Sequence, residues 1–133
     1  MIAPARRAPT MRAMKPVYRL VTDAGAVVAE HVTVADNPLS RFAGLMFRAG
    51  LREGHGLALR PCNSIHMFFM RFPLDVIFVD GDGRVVRVLD SIRPWRATSF
   101  VAGAKAAIEL PAGTASRAGV VPGTVVRMED VTG

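Results

Sequence analysis

A mainly β fold in a single domain, either a β-sandwich or an open barrel, is what this sequence predicts. Three observations predict it. Runs of alternating apolar and polar residues follow one another after Pro16, Gly, Asp and Pro residues punctuate those runs, and only one stretch carries a full helical spacing. A chain of 133 residues, half of them hydrophobic and about a fifth charged, is long enough to bury one core without disulfide support.

Val17–Thr22 reads as a strand, Asp23–Gly25 as a turn, and Ala26–Val34 as the hairpin partner. Asp36, Asn37 and Pro38 form a helix-start signature, with a side-chain cap followed by a proline suited to the first turn. Leu39, Phe42, Ala43 and Met46 then recur at three- and four-residue spacing, which predicts one short helix near 37–47. Gly56–Leu59 is a short strand before Pro61. Ser64–Met70 and Leu74–Asp80 are strands joined around Arg71–Pro73, where the Phe72–Pro73 bond is a candidate for the cis form.

The strongest hairpin signal is Leu74–Asp80, the turn Gly81–Gly83, and Arg84–Asp90. Val76 and Phe78 face one side of that first strand, and Ile77 and Val79 the other. Both sides are apolar, so the strand is expected between two layers. Ala106–Leu110 is a further strand. A helical turn near 114–118 follows, with Thr114 as its expected cap, and Val120–Met128 closes the domain after a Pro122–Gly123 turn.

Charge does not point to nucleic acid. The formal net charge is +6, but residues 1–15 carry Arg6, Arg7, Arg12 and Lys15 with no acid, so four of those charges lie there. The expected organisation is a flexible basic arm over residues 1–15 and one β domain over 16–133. A nearly balanced body is a poor match for a phosphate backbone, which clustered Lys and Arg side chains hold. The arm lacks the apolar run of a secretory signal. No stretch reaches the roughly 20 apolar residues of a membrane helix. With one cysteine and no export signal, the expectation is a cytoplasmic protein, monomeric or weakly self-associating, with no cofactor and no membrane or nucleic-acid partner.

Three segments together resemble a known family: "GLMFR" at 44–48, "IHMFFMRFPLDVIFVD" at 65–80, and "ELPAGT" at 109–114. In order and spacing they resemble the domain of unknown function 192, a set of small, mainly bacterial and archaeal proteins. The likeness runs from about residue 30 to residue 130. It implies a β-sandwich of jelly-roll type and no particular activity. Relatives that carry Trp-Met-Lys-Asn stand against this chain's His66-to-Met70 segment, so a role for His66 would belong to a subgroup.

Several side chains could carry chemistry. Cys62, Ser64, His66, Phe68 and Met70 lie at steps of two and would share one face of a strand. On such a strand Cys62 and His66 stand roughly 13 Å apart at about 3.3 Å per residue, too far for a thiolate–imidazole pair. Cys62, His66 and Met70 form a weak soft-metal set that Asp75 or His55 would have to complete. Asp75 interrupts an apolar strand, so its carboxylate needs a partner, with Arg71, Arg60 or His66 as candidates. Trp95, between Arg93 and Arg96, is either a recognition spot or a plug at one end of the domain.

Ser64, His66, Arg71, Asp75 and Trp95 are therefore the ligand-binding candidates. The expected function is a non-enzymatic module for a small ligand or protein partner. The alternative is a hydrolase-like or metal-dependent enzyme that uses His66 with Cys62 or Asp75. Walker, Rossmann, His-Glu-x-x-His and Gly-x-Ser-x-Gly patterns are missing from the chain.

Overall fold

The computed structural model describes residues 16–35, 51–62, 72–93 and 100–132. The helix expected near 37–47, the strand expected over Ser64–Met70 and the segment around Trp95 lie outside the described residues. So do four of the five ligand-binding candidates, Ser64, His66, Arg71 and Trp95.

The described residues form seven strands and one helical turn. The strands are β1 (Tyr18–Thr22), β2 (Val27–Ala35), β3 (His55–Leu59), β4 (Leu74–Val79), β5 (Val85–Ile92), β6 (Ala106–Pro111) and β7 (Val126–Asp130), with α1 (Thr114–Arg117) between the last two. They make one sheet in the order β5-β4-β6-β3-β2-β1-β7. Every neighbouring pair is antiparallel except β2 and β3, which run parallel.

The mainly β prediction holds, and of its two forms the described strands take the open barrel. Two facing sheets do not arise because β6 pairs with both β3 and β4, which joins what would be two layers into one. The sheet curls until its first and last strands meet at one end. Arg84 bridges Val125 there, Val85 N–H donates to the Thr124 carbonyl at 2.8 Å, and Val126 N–H donates to the Gly83 carbonyl at 2.9 Å. This seam satisfies backbone groups that would otherwise be open edges.

The curled sheet has an apolar cluster on each face. Leu20, Val32, Ile77, Ile108 and Leu110 belong to the cluster on the concave side, together with Ala115 of α1. Leu74, Val76, Phe78 and Ala107 belong to the cluster on the outer side. All six residues of β4 are buried, as its two apolar faces predict.

Two local expectations need correction. The cis bond among the described residues is Arg60–Pro61, not Phe72–Pro73. The residue capping α1 is Gly113, at φ 91° and without a side-chain cap, while the Thr114 hydroxyl is buried and finds no hydrogen-bond partner. The first turn of α1 is served from elsewhere, by Asp75.

Candidate functional site

Asp75 sits in β4 with no exposed surface, on the same side as Ile77 and Val79. Its partners are backbone groups. Oδ1 accepts from Ser91 N–H at 2.8 Å and Oδ2 from Ala115 N–H at 2.9 Å. Of the three expected partners, Arg60 does not pair with this carboxylate, and Arg71 and His66 lie outside the described residues. Ser91 lies at φ 50° in the irregular end of β5, where the register against β4 slips between Leu74 and Val76. The carboxylate therefore pins a bulged strand end and the start of α1 to β4.

Cys62 is half-buried and packs against the outer cluster, on the opposite side of the sheet from the Asp75 carboxylate. The structure thus separates these two candidates. Among the described residues no three His, Cys, Asp or Glu side chains stand close enough to share a metal ion.

Glu109 is a buried acid that the sequence reading passed over. It lies in β6, opposite Leu57 of β3 and Val76 of β4, and only 6% of it is exposed. Its neighbour Leu110 faces Asp75 across β6 and β4, so the two acids occupy opposite faces and do not form a carboxylate pair. Burial pushes the Glu109 carboxyl up to about 7. The signal that could have found it is the one that exposed Asp75, an acid inside an otherwise apolar strand, Ala106–Pro111.

This carboxyl makes stability depend on pH. The unfolded chain releases the proton near 4.5, whereas the folded chain holds it until about 7. Stability is therefore fully present below about pH 4.5 and falls as pH rises through 7, by on the order of 3 kcal/mol. Urea unfolding at pH 5 and pH 8 should show this loss in the native chain and much less of it in Glu109→Gln. Equal slopes in both chains would exclude Glu109 as the source.

Among the described residues a cavity lies at the seam end of the barrel, with a volume of about 340 Å³. Leu20, Ala58, Val79, Ile108 and Val126 supply an apolar floor from five strands. The rim is polar because strand ends and turns meet there. Arg60 follows β3, Lys105 precedes β6, Arg127 sits in β7, and Asp80 and Asp82 belong to the β4–β5 turn.

The rim charges are not equally available. Asp80 Oδ1 accepts from Asp82 N–H and Arg84 N–H, each at 2.9 Å, so it holds the turn. Arg127 pairs with Glu129 at 3.1 Å. Lys105 anchors its backbone N–H on the Val79 carbonyl at 2.8 Å, and its exposed ammonium makes no ion pair among the described residues. An apolar floor of buried core side chains beneath the exposed Lys105 ammonium is an arrangement suited to an amphipathic ligand.

A second polar cluster lies away from the cleft. His31 of β2 and His55 of β3 are direct register partners, with ring centroids 4.9 Å apart. Burial, then the His31 imidazole and the Arg52 guanidinium, lower the His55 pKa.

Comparison with known proteins agrees with the sheet. The relatives include a UPF0127 protein of Thermococcus sibiricus, 41% identical over 93 residues, which are 67% of this chain and 60% of that protein. A UPF0127 protein of Thermococcus gammatolerans is 36% identical over 112 residues, 81% of this chain and 72% of that one. The match thus spans about three fifths of the T. sibiricus protein's length. Among solved structures, a Novosphingobium aromaticivorans protein of unknown function has a TM-score of 0.71 at 28% identity, covering 84% of this chain and 83% of its own. A Sinorhizobium meliloti protein, provisionally named a transcription regulator, has a TM-score of 0.72 at 27% identity, covering 86% and 93%. The family model DUF192, described as "Uncharacterized ACR, COG1430", matches residues 19–128. The chain belongs to the DUF192 family.

Proposed function

We propose that the chain is a non-enzymatic binding module whose barrel-end cleft takes a small amphipathic ligand with an anionic group. The observation that carries this reading is the open cleft itself, an apolar floor of five strand residues below the unpaired Lys105. Its volume falls at the lower end of the roughly 300–1,000 Å³ typical of small-molecule sites. The sign of the ligand follows from the exposed Lys105 ammonium on the rim, since Asp80 is engaged by its own turn and Arg127 by Glu129.

The probe for this site is anilinonaphthalene sulfonate, an apolar ring system with one fixed negative charge. Fluorescence titration of the folded chain should show saturable, one-to-one binding. Lys105→Glu should weaken it at least tenfold, about 1.4 kcal/mol. Ala106→Phe, which extends a half-buried cleft residue into the space, should abolish it while the melting temperature stays within a few degrees. A linear, unsaturable signal, or equal affinity in all three chains, would overturn the reading.

A further inference from the structure

The second polar cluster has chemistry of its own, independent of the cleft. We propose that His31 and His55 form a two-histidine site for a borderline transition-metal dication, the class that includes Ni²⁺, Cu²⁺ and Zn²⁺. Neutral imidazole suits these ions, and solvent can complete their coordination.

The argument is geometric. Metal–imidazole bonds run about 2.0–2.1 Å, with the ring centroid about 1.1 Å behind the nitrogen. Two rings on one ion then stand roughly 4.5 Å apart, centre to centre, at a right angle and roughly 5.1 Å apart at the tetrahedral angle. The observed 4.9 Å lies between these values. The rings are tilted by 34° rather than stacked flat.

The backbone beneath the pair is rigid. His31 and His55 begin the parallel ladder of β2 and β3, which continues through Thr33–Leu57 to Ala35–Leu59. Both Glu30 N–H and His31 N–H donate to the Gly54 carbonyl at 2.9 Å, and His55 N–H donates to the Arg52 carbonyl at 3.0 Å, so the approach to both histidines is tied down. Two rings already held 4.9 Å apart lose little conformational entropy when an ion arrives. His31 is exposed and His55 half-buried, which leaves open sides for water ligands. The acids near the pair are engaged elsewhere, Glu30 with Arg19 at 3.0 Å and Glu53 with Arg117 at 3.0 Å, so the donor set is two nitrogens.

Ni²⁺ is the probe, because it leaves the Cys62 thiol unoxidised. Calorimetric titration of the full chain at pH 7.5 should give one site. In proton spectra the ring signals of His31 and His55 should broaden first, before those of His66, the third histidine of the chain. His31→Ala replaces an exposed side chain and should fold normally, as circular dichroism would verify. Its Ni²⁺ affinity should fall at least tenfold, and His55→Ala should do the same, whereas His66→Ala should leave it unchanged. Absence of binding, or binding lost in His66→Ala and retained in His31→Ala, would overturn the proposal. Neither result touches the cleft, whose test uses a different probe and different residues.

Discussion

Replacing Asp75 with alanine is expected to destabilise the protein by about 3–5 kcal/mol, a large part of the roughly 5–15 kcal/mol that holds a domain of this size together. The carboxylate is wholly buried and accepts two backbone N–H donors, from Ser91 and Ala115. Hydrogen bonds to a charged group contribute about 1.5–3 kcal/mol each, and the two donors would be left without partners in the interior. The desolvation recovered by removing the charge offsets part of this, which places the expectation near the lower end of that sum. Asp75→Asn keeps one acceptor oxygen and should cost about half as much. Guanidinium unfolding checks the order, native above Asp75→Asn above Asp75→Ala, from the midpoints at constant slope. A loss below about 1 kcal/mol in Asp75→Ala would mean that the two N–H groups find other acceptors. The carboxylate would then be free to serve a ligand rather than the frame.

Gly83→Ala should cost about 2–4 kcal/mol, because it acts on the seam that closes the barrel. Gly83 lies at φ 83°, and a Cβ there would collide with the Val126 carbonyl oxygen. Alanine in the left-handed region costs roughly 1–2 kcal/mol by itself. Relieving the collision moves β7 away from the β4–β5 turn, which weakens the Val126-to-Gly83 and Val85-to-Thr124 hydrogen bonds. Gly103 separates the two contributions. It has φ 81° with nothing within 4 Å of an added Cβ, so Gly103→Ala should show the backbone penalty alone. Equal losses at the two positions, read from thermal or urea unfolding, would show that the seam carries no stability of its own. Gly83 also lines the cleft, so the same variant should weaken binding of the anionic probe.

The strands were legible because burial imposes a period of two on a half-covered strand and none on a strand covered on both sides. That distinction identified Leu74–Val79 as a strand buried on both faces. Asp75 was legible as an anomaly for the same reason. Its partners were not, because donors that lie 16 and 40 residues further along the chain leave no mark near position 75. Glu109 carries the same anomaly in a shorter strand and was overlooked. The pairing of His31 with His55 was invisible in principle. It depends on a parallel register between strands separated by a long connection, and no local pattern encodes that register.

The sequence by itself determined that this chain builds a β domain, where most of its described strands begin and end, and that it resembles the family to which it belongs. Those properties follow from local patterns of side-chain size and polarity, which act over a few residues. Only the tertiary structure decided that the described strands form one curled sheet and not two, that Asp75 holds the frame, and that Lys105 overlooks an apolar cleft. These depend on which strand edges find each other, and edge pairing is set by the packing of the whole chain: identical backbone donors and acceptors line every edge.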